Sequence, residues 1–172
     1  MERIYFLKTE RIGFSRWEED DLGLAEELWG QPEVTRLICA SGKFTKEEIE
    51  KRLKLEIEND EKYKVQYFPI FHLSDENLIG CCGLRPYKEQ KGVFEIGFHL
   101  KPSYWRQGFG FEAASSMIHY GFSVLQASEL KAGHHPDNTA SKNLLKKLGF
   151  QYKEDEYYEP TGLYHPSYSL TL

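Results

Sequence analysis

One stretch constrains this chain more than any other. It runs Glu95-Ile96-Gly97-Phe98-His99-Leu100, then Lys101-Pro102-Ser103-Tyr104, then Trp105-Arg106-Gln107-Gly108-Phe109-Gly110-Phe111-Glu112-Ala113. It reads as a strand, a short loop, and a glycine-containing turn that opens a helix. Glycine lets the backbone turn tightly and approach a ligand closely. The first amides of a helix have no intrahelical acceptor, and the aligned peptide dipoles add partial positive charge. Consecutive free N–H groups at such a turn suit phosphate or pyrophosphate; the alternative is a plain strand-to-helix turn. The P-loop pattern is absent. Gly108, Gly110 and Ala113 fit the spacing of a dinucleotide fingerprint, but Pro102 to Gln107 separate the strand from the first glycine. Too little chain follows for a doubly wound sheet.

A second cluster, His134-His135-Pro136-Asp137-Asn138-Thr139-Ala140-Ser141, follows an expected strand over 129–133 and opens another helix. Asn138 is placed to cap that helix, with Ser141 at its third position. Two helix N-termini, one strand apart, can line one crevice. The paired histidines have no third partner at metal-ligand spacing, so no metal is expected.

The rest of the chain supplies the frame. A strand is expected over 11–17, and a helix capped by Asp20 or Asp21 carries Leu22, Ala25, Leu28 and Trp29 on one face. Gly30 and Pro32 interrupt it. A second helix starts at Thr45, where Thr45 and Glu48 have capping-box spacing and Phe44 and Ile49 staple spacing; Ile49, Leu53 and Ile57 form its stripe. Strands over 66–73, 78–84 and 93–100 follow as a meander. Ser74-Asp75-Glu76-Asn77 makes its first loop. Helices over 110–125 and 138–148 flank the 129–133 strand, and strands over 150–159 and 164–172 close the chain. This order predicts an α/β (α+β) fold: a mixed, mostly antiparallel sheet of about six to seven strands, with about four helices on its two faces.

Length and composition narrow the function classes. At 172 residues the chain suits a single domain spanning 1–172. Its 22 Lys plus Arg against 27 Asp plus Glu give a net charge of -5, which argues against nucleic acid as partner and mildly favours a cationic substrate. No apolar run approaches the roughly 20 residues a membrane helix needs. The opening Met1-Glu2-Arg3-Ile4-Tyr5 lacks the apolar core of a secretory leader, so the cytoplasm is the expected compartment. The three cysteines, Cys39, Cys81 and Cys82, have no CxxC pair and fit neither a disulfide framework nor a zinc site. Cys81 and Cys82 read as reduced, buried small hydrophobes.

These landmarks together resemble the GNAT superfamily of acyl-CoA-dependent N-acetyltransferases, and within it the ribosomal-protein alanine N-acetyltransferase subgroup. The resemblance runs through Thr9-Glu10-Arg11-Ile12, Gln31-Pro32-Glu33-Val34, Leu78 to Leu84, Glu95 to Phe98, Pro102 to Trp105, Gly108 to Ala113, Asn138 to Ser141 and Leu145 to Phe150. It implies a splayed sheet and acetyl-CoA as co-substrate. The pantetheine arm would lie along the free edge of Phe98, His99 and Leu100, bonded to the backbone of Phe98 and Leu100 as an added strand. The pyrophosphate would sit on the amides of Gln107, Gly108, Phe109, Gly110 and Phe111, with Arg106 as a nearby cation. Asn138 and Ser141 would contact the arm. Phe111 stands where the subgroup has a phosphate-binding threonine, and Arg106 where it has glycine.

The resemblance also assigns chemistry. Glu95 stands where some members use a general base and others a structural carboxylate. Ser141 stands where related enzymes place a general acid for the CoA sulfur, or only a capping hydroxyl. Direct attack is implied, so neither Cys81 nor Cys82 is a nucleophile. The implied acceptor is a primary amine: a protein N-terminus, or a small amine such as a polyamine or an aminoglycoside. A non-catalytic acyl-CoA-binding module or an interaction domain is the alternative. Aromatic residues near the C-terminus suggest a homodimer.

Overall fold

The computed structural model describes residues 2–172. Strands β1 (Leu7–Lys8) and β2 (Ile12–Phe14) form a hairpin, followed by a 3-10 turn at Glu19–Asp21 and helices α1 (Leu22–Trp29), α2 (Pro32–Thr35) and α3 (Lys46–Tyr63). Strands β3 (Tyr67–His72), β4 (Leu78–Pro86) and β5 (Val93–Leu100) form the expected meander. A second 3-10 turn, Pro102–Tyr104, leads to α4 (Phe109–Ser123), then β6 (Glu129–Gly133), α5 (Thr139–Lys147), β7 (Gln151–Tyr158) and β8 (Leu163–Leu170).

All eight strands join one sheet in the order β1-β2-β3-β4-β5-β6-β8-β7. Every pairing is antiparallel except β5 with β6. That parallel ladder is short: Val93 faces Glu129, Phe94 faces Leu130 and Glu95 faces Lys131. Beyond Glu95, β5 stays with β4 as far as Leu100 opposite Gly80, while β6 stays with β8 as far as Gly133 opposite Ser167. The sheet therefore divides at Glu95.

Alternation along the strands fills a core on each face. On one, Ile96, Leu84, Cys82 and Leu130 pack against Phe109, Ala113 and Met117 of α4 and Leu145 of α5. On the other, Tyr67, Phe71 and Cys81 pack against Leu28 and Trp29 of α1 and Ile49 and Leu53 of α3. Adjacent Cys81 and Cys82 thus belong to opposite cores. Both are buried and free, and burial pushes the Cys81 thiol up to about 12. Cys39 is only half-buried.

Local signals act as their chemistry dictates, with three corrections. Thr45 Oγ1 accepts from Glu48 N–H at 3.2 Å and Glu48 Oε2 from Thr45 N–H at 2.7 Å, completing the capping box of α3. Gly149, at φ +92°, ends α5, with Phe150 N–H donating back to Leu145 O at 3.0 Å. The first correction concerns Asp21, which does not cap α1: its carboxylate turns back to accept from Glu18 N–H at 2.9 Å and Arg3 at 3.1 Å. The second is that Pro32 begins a helix as well as ending one, because proline at the first helical position sacrifices an N–H that has no partner there. This makes five helices rather than four. The third is the two-residue β1, which brings the strands to eight and shortens the expected 11–17 strand to Ile12–Phe14.

Candidate functional site

A cavity of about 400 Å³ opens where β5 and β6 part. Glu95, Phe98, His99, Asn138 and Ser141 all line it. The other expected positions, Leu100, Arg106, Gln107, Gly108, Phe109, Gly110 and Phe111, lie along the end of β5 and the turn into α4, outside that lining.

The strand edge is set by the ladder. Lys101 N–H donates to Ile79 O at 2.9 Å. Antiparallel alternation then points the polar backbone groups of His99, Gly97 and Glu95 toward β4, and those of Leu100, Phe98 and Ile96 to the other side, where Ile96 flanks the last rung with β6 and Phe98 and Leu100 face the opening. One of these is already taken: Trp105 Nε1–H donates to Leu100 O at 2.9 Å. Both groups of Phe98 remain on the edge.

The turn before α4 carries two left-handed residues, Arg106 at φ +58° and Gly108 at φ +82°. The helical ladder begins with Glu112 N–H donating to Gly108 O at 3.1 Å. Among the described residues, the amides of Gln107 to Phe111 have no backbone acceptor. Only the backbone of Phe109 serves such a site, because its side chain is buried in the core. Gly110 leaves room for a neighbouring helix: a Cβ there would lie 3.3 Å from Leu144 Cδ2. The turn is braced from the other end of the chain. Glu112 accepts from Thr9 Oγ1 at 2.7 Å, Arg11 N–H at 2.9 Å and Arg11 Nε at 2.7 Å, while Arg11 also donates to Gln107 O at 3.0 Å. Burial alone would raise the Glu112 carboxyl, but these bonds hold it below its ordinary range.

Glu95 projects onto the α1–α3 side of the sheet, where Tyr67 OH lies 3.4 Å from its Oε1. Gly97 makes room for that phenol, since a Cβ there would stand 2.3 Å from Tyr67 Cζ. Burial raises the Glu95 carboxyl above the usual carboxylate range, with Arg85 and Tyr67 opposing. His99, two residues on, is held neutral by burial. Its Nδ1 accepts from Trp29 Nε1–H at 3.2 Å, which leaves the proton on Nε2 and ties α1 to β5. His99 is thus unsuited to act as a base.

Below Tyr67 lies a buried charge network. Glu56 Oε2 accepts from Tyr67 N–H at 2.7 Å, and Glu56 Oε1 binds Arg85 with Arg52 Nε 3.5 Å away. Arg85 and Arg52 stack 4.1 and 5.7 Å from the centre of the Tyr67 ring. Across the cavity, Asn138 Oδ1 accepts from Ser141 N–H at 3.0 Å, so the capping role of Asn138 is realised. Ser141 lines the cavity, and its Oγ has no hydrogen-bond partner among the described residues. Tyr157, Tyr158 and His165 enter from β7 and β8, Leu37 and Ile38 from the segment after α2. Ala40 N–H donates to Pro160 O at 2.8 Å and ties those two loops together. Tyr120 lies apart from these and packs on Phe6 and Phe68.

Sequence reasoning missed Arg11, Arg52, Tyr67 and Arg85. The Arg52 and Glu56 spacing of four along α3 was visible, but it is equally the mark of a solvated helix pair. Arg11 and Glu112 are 101 positions apart, and nothing local links them. Among the described residues, no three His, Cys, Asp or Glu side chains gather as a metal site, and no helix is long and apolar enough to cross a membrane.

Residues 11–151 match the family model described as acetyltransferase (GNAT) domain. The chain is 33% identical over 153 residues to an uncharacterized N-acetyltransferase, p20, of Bacillus licheniformis, covering 88% of this chain and 83% of that protein. Its fold is similar to RimL, a ribosomal L7/L12 alpha-N-protein acetyltransferase solved with coenzyme A. The TM-score is 0.81 at 14% identity, over 98% of each chain. It is also similar to spermidine N-acetyltransferase from Vibrio cholerae, solved with CoA and spermine. There the TM-score is 0.77 at 15% identity, over 95% of this chain and 96% of that one. At such identities the likeness is one of fold.

Proposed function

The chain belongs to the GNAT acetyltransferase family, and from that premise we propose that it transfers acetyl from acetyl-CoA to a primary amine by direct attack. The observation that carries this reading is the parting of β5 from β6 beyond Glu95. It leaves a strand edge at Phe98, beside the start of α4, where the amides of Gln107 to Phe111 have no backbone acceptor among the described residues, and opens a cavity shared by the Glu95 carboxylate, raised by burial, and Ser141. Those groups fit the co-substrate: the edge at Phe98 and the N–H of Leu100 would hold the amide arm, and the amides with Arg106 the pyrophosphate. Bound acetyl-CoA would supply the acetyl group as an activated thioester.

The chain's own groups then have defined tasks. Glu95 takes a proton from the incoming ammonium, through a water, and its raised carboxyl suits a base working near neutrality. Backbone N–H groups of the parted strand polarise the carbonyl. Ser141 Oγ gives a proton to the departing sulfur. Asn138 orders the start of α5 so that Ser141 faces the cavity. The acceptor is a protein N-terminal amine or a small amine; among the fold's relatives, one is a ribosomal-protein acetyltransferase and another acts on spermidine. We take the cytoplasm as the compartment and a second copy as a partner docking on the exposed Tyr152, Leu163 and Tyr164.

Calorimetric titration with acetyl-CoA, beside Arg106→Glu, tests the reading. Arg106 already occupies its left-handed conformation and is exposed, so the exchange leaves the fold intact. Saturable binding that the variant weakens supports the assignment. A wild-type protein that binds no acetyl-CoA refutes it.

A further inference from the structure

Five charged side chains line the cavity: Arg52, Arg85, Lys88, Glu95 and Glu156. Three are neutralised within the protein. Arg85 binds Glu56, and Lys88 binds Glu156 at 2.8 Å. Two are left over. Arg52 stands 3.5 Å from Glu56 Oε1, but Glu56 is already engaged by Arg85 and by Tyr67 N–H. Among the described residues Arg52 makes no hydrogen bond, and its Nε is buried without an acceptor. Only 14% of its side chain is exposed, so little water replaces what is missing. Among the described residues Glu95 has no cation within ion-pair distance, and its one partner is the neutral Tyr67 hydroxyl. Both charges flank one ring, with Arg52 5.7 Å from the Tyr67 centroid and Glu95 at its hydroxyl.

A buried guanidinium that shares its one counter-ion with a second arginine and makes no hydrogen bond of its own is costly unless a ligand supplies acceptors. A cavity with one unmatched cation and one unmatched anion complements a zwitterion. We propose that the acceptor is a free amino acid, its carboxylate seated on Arg52 and its amine at Glu95. This rests on the acetyltransferase reading above and narrows its acceptor. A polyamine would set a second ammonium against Arg52, where like charges repel. A peptide N-terminus offers Arg52 only a neutral carbonyl, a weaker acceptor than a carboxylate. The overall charge of -5 favours cations at a distance, but these two groups decide what fits in contact. The transfer forms one C–N bond and breaks the C–S bond of the thioester. Of the two protons the ammonium gives up, one leaves through Glu95 to solvent and the other ends on the sulfur.

The test compares acceptors that differ only in the carboxylate. The standard L-amino acids, their carboxamides, spermidine and a short peptide beginning with alanine are assayed by thiol release from acetyl-CoA. We expect at least one acid to exceed its own amide roughly tenfold or more in kcat/KM, the worth of a charge-assisted contact. The same acid, and not its amide, should bind the CoA-loaded protein in calorimetry. Arg52→Met should abolish the preference through KM while acetyl-CoA affinity holds. The acid–amide comparison needs only the wild type, so it stands even if that variant misfolds. Equal use of acid and amide, or better use of spermidine or the peptide than of every acid, overturns the proposal and leaves the transferase reading in place; no acceptor at all despite acetyl-CoA binding overturns the proposal and favours the non-catalytic binding module. A folded Arg52→Met that still prefers the acid also overturns it. Absence of acetyl-CoA binding removes both.

Discussion

Replacing Glu112 by alanine should cost this protein more than most helix-surface changes. Among the described residues the carboxylate is the only acceptor for Arg11 N–H and Arg11 Nε, and it is the 2.7 Å partner of Thr9 Oγ1. Its side chain is 19% exposed, against 36% for Arg11, so water can reach part of the vacated site. A buried hydrogen bond to a charged group contributes about 1.5–3 kcal/mol, and partial exposure and non-additivity hold the set of three to about 2–4 kcal/mol. For a chain of this length each kcal/mol moves Tm by about 2–4 °C, so a fall of roughly 5–15 °C is expected. The acid dependence gives a second reading. Glu112 is held below its ordinary carboxyl value. Its contribution is therefore full above the ordinary glutamate range and is lost as pH falls through the depressed folded value. Urea midpoints measured stepwise from neutrality toward about pH 3 should show wild type and variant converging. A neutral-pH Tm within about 1 °C of wild type, or a gap that does not narrow in acid, would show that the brace between the β1–β2 hairpin and α4 contributes no more than an exposed ion pair.

Three further outcomes follow from the same geometry. Glu95→Gln should lower kcat by about 10²–10⁴ while leaving acetyl-CoA affinity unchanged; because burial raises the carboxyl, the wild-type rate should climb with pH through a limb above the usual glutamate range, and the variant should lack that limb. Gly97→Ala places a methyl 2.3 Å from Tyr67 Cζ, and forcing the ring aside should cost about 1–3 kcal/mol, read as a lowered urea midpoint at unchanged slope. Iodoacetamide on the native protein should modify Cys39 first and leave Cys81 and Cys82 untouched until unfolding, as peptide mass mapping would show; early labelling of either would contradict their burial.

Much of the frame was legible because it rests on local rules. Strand 93–100 and strand 129–133 were read to the residue, since each is a compact apolar run between turn residues. The capping box at Thr45 and the stop at Gly149 are short-range chemistry as well. What escaped detection depends on partners far along the chain. Glu56 sits in a helix rich in exposed acids, and nothing in its neighbourhood separates it from them; its burial follows from Arg85, 29 residues away. Likewise β1 is two residues long and exists only because β2 pairs with it. For the site, the sequence supplied Glu95, Phe98, His99, Asn138 and Ser141, which share one cavity. It did not supply the role of His99, whose ring nitrogen is committed to Trp29, 70 positions earlier.

The three-residue ladder between β5 and β6 has a consequence for how such a protein can change. The zipper stops at Glu95 opposite Lys131, a rung closed by the flanking Phe94 and Ile96, and that stopping point decides which peptide groups stay unspent. One more rung, Ile96 opposite Ala132, would take the Ile96 carbonyl and move the vertex past Glu95; one fewer would loosen the seam between β5 and β6. Tolerance to insertion or deletion should therefore collapse at 93–95 and 129–131, although of these residues only Glu95 lines the cavity. In this chain the position of the chemistry is a length, counted in hydrogen-bonded rungs.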